Sequence, residues 1–520
     1  MPIPSRSVKE RTLLRTTFVL YALLLIYAGL HHELWGDEVH SWNIAKGSGS
    51  YPDLLANRRY EGHPPAWYTL LWLISRFTHQ VIFMQAMQWL IALSIVWMML
   101  FKAPFALSTR ILLPFGYYFL FEYGVLSRNY ALGVLIAFCI CLILRKDFRF
   151  RLVLYYGLLF LLSNVHLLTL LLAGSIHLYF LGLIRQREKR PAALFLHALL
   201  GLAVIIPAIL FIHIPSDSEV DLSAWTHSWS IRQLGGFYQP LCRAFLPVPA
   251  WWNYHFWNTE FLLDAHLPQG FILVLCQLVA AFLLGYLFFI LRKSRQSMVF
   301  LAANLALSYI LSVTAFSLAT ARHSGFLFIG LVIAWWLYRD EPSAPQNHSS
   351  KPADHPNTRA DHLSTHMFNI LLIIQIVAGV FAVAKDIRLP FSNTWQVPAL
   401  IKEIPAGESP VTDYWTMNAV VAFTDKPVYC LDLQQDLSFI LFDHRLRPVD
   451  HNRHRYTDGL QQLFRKNGNH TVYMLSLSSP QLLNRVDTLL TKSCRLTLID
   501  KREGAIEPGS NLYLYRAEPF

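Results

Sequence analysis

The chain has 520 residues, of which 54% are hydrophobic and only 15% are charged. A soluble domain carries about 25% charged residues, so this composition indicates a polytopic membrane protein with room for one soluble domain. The net charge of +11 does not indicate nucleic-acid binding. The lysines and arginines cluster in short loops between apolar segments, and no basic helix or zinc-finger spacing is present.

The N-terminus carries four basic residues before an apolar run from about Thr16 to Leu30. No small-residue cleavage pattern follows, so we interpret this run as an uncleaved first membrane helix. Because a spanning helix needs about 20 apolar residues, the sequence predicts about eleven spans. The predicted spans are 13–31, 81–101, 110–127, 129–144, 152–167, 168–184, 193–213, 270–291, 297–318, 323–338 and 367–385.

The apolar run from Pro65 to Phe77 is shorter than a typical span. If it lies on the membrane surface, the basic clusters between the later spans fall on the cytoplasmic, N-terminal side. If it spans, those clusters move outside, against the positive-inside rule. We therefore predict an interfacial helix with Trp67, Tyr68 and Trp72 at the level of the lipid headgroups.

This topology places the two largest loops and the C-terminal tail on the outer side of the membrane. The tail contains strand-like runs alternating with helix-like stretches, which predicts a small α/β domain. The expected strands are Pro427–Leu431, Thr471–Leu477, Arg495–Ile499 and Asn511–Tyr515. The predicted organisation is a membrane catalytic module (1–338) with the outer loop 32–80, a cytoplasmic linker (339–366), a last spanning helix (367–385) and a soluble extracytoplasmic α/β domain (386–520).

Six cysteines are present, and their spacing forms no metal-binding motif. Cys139, Cys141 and Cys276 lie in apolar segments, which is typical of buried small hydrophobic residues. Cys430 and Cys494 lie in the tail. The sequence leaves open whether these two form a disulfide bond.

Ionisable residues gather where the predicted helices meet the outer water layer. Asp37 and Glu38 follow the first span directly. Acidic groups near hydrocarbon are costly, so the pair suggests a functional site. Taken singly, each candidate also has a structural reading, such as an arginine that snorkels to the interface. The other candidates at this face are Arg58, Arg59, Glu61, His63, Arg128, Tyr130, His166, Arg322 and His323.

This combination of residues suits glycosyl transfer. A hydroxyl group is a poor nucleophile, so a carboxylate must take its proton during attack. A phosphate leaving group gains negative charge, and the forked arginine guanidinium stabilises that charge. Nucleotide sugars are cytoplasmic, so a site on the outer face implies a polyprenyl-phosphate sugar as donor.

On these residues the chain resembles the C-type membrane glycosyltransferases, and most closely the branch of protein O-mannosyltransferases and aminoarabinose transferases. His63 favours the mannosyltransferase-like side of that branch, because the aminoarabinose transferases have Lys at this place. The motifs that carry the resemblance are Asp37-Glu38-Val39-His40, Tyr60-Glu61-Gly62-His63-Pro64-Pro65 and Arg128-Asn129-Tyr130.

The resemblance implies an inverting transfer of a sugar from a polyprenyl-phosphate donor to an extracytoplasmic hydroxyl group of a glycan, lipid or protein. Asp37 would be the general base, with Glu38 and Glu61 as further catalytic residues. Arg128 would bind the donor phosphate, and Arg322 is expected to join it. The expected substrate-binding residues are Arg58, Arg59, His63, Tyr130 and His166.

No cofactor is expected, although Asp37, Glu38 and His63 carry ligand atoms that suit a divalent metal ion. The expected partners are the lipid donor, the acceptor and the bilayer. The expected location is a bacterial cell membrane, with the site facing outward. Three other readings stay open: a lipid-linked oligosaccharide ligase or polymerase, a transporter or flippase, and a catalytically silent relative. The early Asp-Glu pair and the lack of internal repeats favour the transferase.

Overall fold

A computed structural model describes residues 7–144, 146–218, 236–314, 317–341, 359–446 and 452–520. The N-terminal three quarters of the described chain are helical, and the C-terminal quarter adds a small sheet. The helices up to the sheet are α1 (Val8–His31), α2 (Gly36–Gly47), α3 (Tyr51–Asn57), α4 (Ala66–Ser75), α5 (Ile82–Phe101), α6 (Leu107–Leu112), α7 (Asn129–Ile143), α8 (Arg151–Ser163), α9 (Leu167–Glu188), α10 (Pro191–Ile212), α11 (Tyr238–Phe245), α12 (Gln269–Leu291), α13 (Arg295–Thr314), α14 (Ala321–Arg339), α15 (Arg359–Arg388) and α16 (Val397–Lys402).

Among the described residues, seven helices are long and apolar enough to cross a bilayer. The chain is therefore a multi-pass membrane protein, as the composition predicts, whereas the count of eleven spans stays a prediction. Three shorter apolar helices, α4, α7 and α8, accompany the seven. The seven are α1, α5, α9, α10, α12, α13 and the part of α15 from His362 to Arg388.

Helix α14 lies at the centre of the bundle. Its side chains are buried on every face from Ser324 to Leu337, which is the pattern of a helix surrounded by other helices. The helix begins with Arg322 and His323 in its first turn. A rigid, enclosed element therefore carries two of the candidate residues.

The predicted span 110–127 is not one continuous helix. Helix α6 ends at Leu112, a 3₁₀ turn covers Leu113–Phe115, and a π-helix covers Tyr118–Val125. Pro114 has no N–H to donate within a helix, and Gly116 has an extended backbone. The α-helix is therefore interrupted at Pro114 and Gly116, although the apolar run continues through both positions.

The predicted cytoplasmic linker lies mostly outside the described residues, at 342–358. Its last part is helical, because α15 begins at Arg359. The predicted outer loop 214–269 is described only in part, since 219–235 also lie outside. Its described portion contains the short helix α11.

The C-terminal region forms a six-stranded mixed sheet with the order β3-β2-β1-β4-β6-β5. Strand β1 pairs in parallel with β2 and β4, and the other pairs are antiparallel. The four predicted strands are present, while β1 and β3 are too short to leave a sequence pattern. The strands are β1 (Val411–Thr412), β2 (Val428–Cys430), β3 (Gln435–Leu437), β4 (Val472–Ser476), β5 (Cys494–Arg502) and β6 (Leu512–Pro519).

Four helices complete this region and cover the sheet. Helix α18 is strongly amphipathic and buries Leu460, Leu463 and Phe464 against the strands. The helices are α17 (Met417–Val421), α18 (Arg455–Lys466), α19 (Pro480–Val486) and α20 (Leu490–Ser493).

Cys430 and Cys494 are both free and buried. Cys430 lies on β2 and Cys494 starts β5, four strand positions away in the sheet order. At about 4.8 Å per strand the two positions are roughly 19 Å apart, far beyond disulfide reach. The pairing that the sequence left open is therefore absent.

The C-terminal region docks on α2 through polar contacts with α17 and the residues after it. The Asn43 side-chain amide donates to the backbone carbonyl of Asn418 at 2.9 Å. Lys46 donates to the carbonyls of Val421 and Thr424 at 2.7 and 2.9 Å. These bonds cap carbonyl groups at the end of α17 and fix α2, which carries the acidic pair, against the sheet region.

Candidate active site

The acidic pair lies in the first turn of α2, where carboxylates complement the positive end of the helix dipole. The two side chains have opposite environments. The side chain of Asp37 is 43% exposed, whereas that of Glu38 is fully buried. Adjacent helical positions point about 100° apart, so one acid faces the open side of the turn and the other faces the bundle.

Two arginines from distant helices face the Asp37 carboxylate. Arg128, the residue before α7, has a guanidinium nitrogen 3.5 Å from an Asp37 oxygen, and Arg322 of α14 approaches the same oxygen to 3.9 Å. Arg128 also donates to the Asp37 backbone carbonyl at 2.6 Å. The fold thus brings together Asp37, Arg128 and Arg322, here called the open cluster, and their predicted roles stay predictions.

Aromatic rings fix the second arginine. The guanidinium carbon of Arg322 lies 4.9 Å from the ring centroid of Trp35 and 5.4 Å from that of Trp257. Cation–π contacts of this kind orient the charge without using all its N–H donors. Because the Arg128 and Arg322 side chains are only 9% and 17% exposed, the open cluster presents positive charge in a fixed geometry.

Glu38 is enclosed by donors. Its carboxylate accepts hydrogen bonds from the backbone N–H groups of Trp35, at 3.0 Å, and Ser127, at 2.5 Å. The Nε2 atom of His32 lies 3.1 Å from the same carboxylate. Because Ser127 immediately precedes Arg128, this hydrogen bond also ties the backbone beside Arg128 to Glu38. These contacts give Glu38 a supporting position, and its predicted catalytic role stays a prediction.

Glu61 forms a second buried pair with His40. Nε2 of His40 lies 2.8 Å from the Glu61 carboxylate, and Nδ1 lies 3.3 Å from the side-chain oxygen of Asn418. Burial lowers the pKa of His40, but the Glu61 charge and the hydrogen bonds outweigh it and raise the net pKa above the ordinary value. Glu61 therefore takes part in a bridge between the outer loop and the C-terminal region.

Histidine and tyrosine rings from four segments form a stack beside the open cluster. The ring centroids of His63 and His166 are 4.7 Å apart, and those of His166 and His323 are 6.1 Å apart. The Tyr130 hydroxyl lies 3.1 Å from Nε2 of His323. Burial, and then the Arg128 charge, lower the pKa of His63 to about 4. His63 is therefore neutral at physiological pH.

The remaining two candidates, Arg58 and Arg59, hold the outer loop (32–80) in place. Buried Arg58 donates to the carbonyl groups of His63 and Phe211 at 2.7 and 3.0 Å. The half-exposed Arg59 donates to the Tyr60 hydroxyl and lies 3.7 Å from Asp217. These contacts tie the outer loop to the end of α10, and substrate binding by either arginine stays a prediction.

Residues that the sequence did not single out complete the site. His32 contacts Glu38, and Asp386 contacts His32. The rings of Trp35 and Trp257 pack against Arg322. His32 follows α1 and Asp386 lies in the last turn of α15. An ionisable residue at the end of an apolar helix is the one signal that could have pointed to them.

The described residues contain no group of three or more His, Cys, Asp or Glu side chains arranged for a metal ion. The proposed set of Asp37, Glu38 and His63 does not fit one. Asp37 faces two guanidinium groups, which repel a cation, and the Glu38 oxygens already accept N–H donors.

The fold and the site define a class: a multi-pass helical membrane protein with a carboxylate–arginine cluster at one end of its helices. Two of the solved structures that it resembles are those of ArnT from Cupriavidus metallidurans. The apo form has a TM-score of 0.52 at 12% identity, covering 96% of this chain and 97% of that one. The form bound to undecaprenyl phosphate has a TM-score of 0.48 at the same identity and coverage.

At 12% identity this likeness shows the fold alone, and the predicted fold class is confirmed. No protein-family model and no curated protein matches the sequence. The preference for the mannosyltransferase-like side of the branch stays a prediction, because a shared fold does not identify the sugar.

Proposed function

We propose that the chain is an inverting glycosyltransferase that moves a sugar from a polyprenyl-phosphate donor to an extracytoplasmic hydroxyl group. One observation carries the proposal: the half-exposed Asp37 carboxylate faces two mostly buried guanidinium groups at one end of the helix bundle. Transfer from a lipid phosphate requires both elements, a base for the acceptor and cations for the leaving group.

In the proposed reaction the acceptor oxygen attacks the anomeric carbon of the sugar. The new carbon–oxygen bond forms as the bond to the phosphate oxygen breaks, and Asp37 takes the acceptor proton. The bonding electrons leave with the polyprenyl phosphate, whose negative charge increases. Arg128 and Arg322 stabilise that charge, and their fixed positions need no reorganisation at the moment of reaction.

Three histidines and a tyrosine pack beside the arginines. His63, His166, His323 and Tyr130 offer hydrogen-bond donors and acceptors together with flat ring faces. Such surfaces suit a sugar ring, which carries hydroxyl groups at its edge and C–H groups on its faces. We propose that the sugar of the donor binds against these rings.

The experiment is transfer of radiolabelled sugar from a panel of polyprenyl-phosphate sugars by the purified protein, with a membrane extract as the source of acceptor. A labelled product that disappears in Asp37→Asn supports the proposal and names the donor. No product from any donor, in a protein that binds none of these lipids, contradicts it.

A further inference from the structure

A second group of ionisable residues lies behind the acidic pair, facing the bundle. His32 stands between two carboxylates: its Nε2 lies 3.1 Å from Glu38, and its Nδ1 lies 3.1 and 3.2 Å from the two oxygens of Asp386. All three side chains are fully buried. We call these three residues the closed cluster.

The geometry favours one protonation state of His32. A neutral imidazole has one N–H donor, so its other nitrogen would point a lone pair at a carboxylate. Both nitrogens face carboxylate oxygens here, and with both carboxylates ionised each nitrogen carries a proton, as in an imidazolium. Burial alone lowers the pKa of His32, but Asp386 and Glu38 raise it well above the ordinary value. Nearby Glu33 is engaged elsewhere, accepting from the Phe391 N–H at 2.8 Å.

The closed cluster joins segments that are far apart in the chain. His32 follows α1, Glu38 lies in the first turn of α2, and Asp386 lies in the last turn of α15. Glu38 adds a fourth segment by accepting the Ser127 N–H. Glu38 is the sequence neighbour of Asp37, the proposed base. Ser127 is the sequence neighbour of Arg128, one of the two cations of the open cluster.

We propose that His32 and Asp386 are positioning residues for the transfer reaction. The imidazolium holds Glu38 against Asp386, and Glu38 in turn fixes the backbone that carries Asp37 and Arg128. The closed cluster thereby sets the distance between the group that takes the acceptor proton and the group that binds the phosphate. The role in transfer rests on the proposed function, whereas the charge on His32 does not.

The first test measures the charge on His32 directly. Solid-state NMR of ¹⁵N-histidine-labelled protein in lipid bilayers reports the protonation of each ring nitrogen, and His32→Gln identifies the signal by its loss. We expect both His32 nitrogens to be protonated at a pH of about 7.5, where an ordinary imidazole is mostly neutral. One unprotonated nitrogen at that pH overturns the proposal, whatever the protein transfers.

The second test separates positioning from binding. We expect Asp386→Asn to lower kcat on the order of 10- to 100-fold, because small misplacements of reacting groups cost this much. The KM for the lipid donor should stay within about threefold, since the phosphate-binding groups are retained. The matched control is Asp487→Asn, which removes a buried carboxylate that binds Thr457 within the C-terminal sheet region and should leave kcat unchanged.

Unchanged kcat in a folded Asp386→Asn protein overturns the positioning role. So does a rise in KM that accounts for the whole loss. If Asp386→Asn does not fold, His32→Gln is measured for the same split between kcat and KM, and failure of both to fold shows a purely structural cluster. Wild-type protein that transfers no sugar and binds none of the lipid donors contradicts the proposed function instead, and the NMR result still decides the charge on His32.

Discussion

The open and closed clusters use the two neighbouring acids of one helical turn in different ways. Asp37 is 43% exposed, and one of its carboxylate oxygens lies 3.5 and 3.9 Å from two guanidinium groups. Glu38 is fully buried and accepts from two backbone N–H groups and from His32. Burial and hydrogen bonding, rather than residue type, therefore decide which of the two acids remains available for chemistry.

The energetics of the two positions differ accordingly. A buried charge is costly unless it is paired and hydrogen-bonded, and the closed cluster meets that condition by surrounding His32 with carboxylates. The open cluster keeps access to water, so Asp37 can exchange a proton with an incoming hydroxyl group. Substitutions at the two acids should therefore affect different properties of the protein.

The largest expected effect is on turnover at Asp37. The substitution Asp37→Asn keeps the shape of the side chain and removes the base. We expect turnover to fall at least ~100-fold, because a positioned base contributes about 10²–10⁴. Initial rates with the lipid donor measure this effect, with thermal melting to show that folding is retained.

The control for that experiment is Asp425→Asn, which changes an exposed aspartate of the C-terminal region that pairs with His79 at the surface. It should leave turnover unchanged. If Asp37→Asn keeps wild-type turnover, Asp37 is not the base and the distinction between the two clusters loses its chemical meaning.

The second prediction concerns stability at Glu38. The substitution Glu38→Gln removes the charge that His32 and the Ser127 N–H face. We expect a loss of about 2 kcal/mol in the free energy of unfolding, the value of a hydrogen bond to a charged group. Equilibrium unfolding in mixed micelles measures it. A variant as stable as the wild type would show that Glu38 does not hold the turn.

The third prediction concerns donor affinity at Arg128. Truncation in Arg128→Ala removes a charged donor to phosphate, and we expect donor affinity to fall about tenfold, or ~1.4 kcal/mol, with a smaller effect on the acceptor. Binding of the lipid donor and acceptor KM measure the two effects. The matched control, Arg465→Ala, changes an exposed arginine on α18. Unchanged donor affinity in Arg128→Ala removes Arg128 from the site.

The smallest effect concerns the pH dependence of stability through His40. Burial lowers its pKa, but Glu61 and Asn418, with a smaller contribution from Asp37, raise it overall. A histidine with a raised folded pKa stabilises fully below its unfolded pKa of about 6.5 and loses that contribution as pH rises through the folded value. The wild type should therefore lose thermal stability as pH rises from about 6.5, relative to His40→Gln.

Melting curves across that pH range check the effect, and His79→Gln serves as the control because His79 is half exposed and pairs at the surface. Parallel pH profiles for wild type and His40→Gln would show that the His40–Glu61 pair does not contribute to the bridge with the C-terminal region.

Sequence reasoning found the open cluster because its members lie in local motifs at helix ends. Asp37 follows an apolar helix, and Arg128 precedes another. The likeness of these motifs to a known family also predicted the fold class. The π-helical break at Tyr118–Val125 was missed, because an apolar run alone does not specify its hydrogen bonding.

The closed cluster could not be predicted in the same way. His32 and Asp386 are separated by 354 positions, and His40 and Asn418 by 378. Such contacts arise only when helices pack, and a single sequence carries no signal for them. The environment that makes Glu38 unlike Asp37 is therefore a property of the tertiary structure.

The side of the membrane on which the site lies tests the proposed function most directly, because only an outward site needs a lipid-linked donor. The C-terminal region contacts the outer loop through His40 and Asn43, so its position reports that of the site. Asn467→Cys places a thiol on an exposed turn after α18, while five of the six native cysteines are buried and Cys139 is partly so.

The measurement is labelling of Asn467→Cys by a membrane-impermeant maleimide in sealed right-side-out vesicles, with the unsubstituted protein as background. We predict labelling of the intact vesicles at the rate seen after detergent is added. Labelling only after the vesicles are opened would place the site in the cytoplasm and contradict the polyprenyl-phosphate donor.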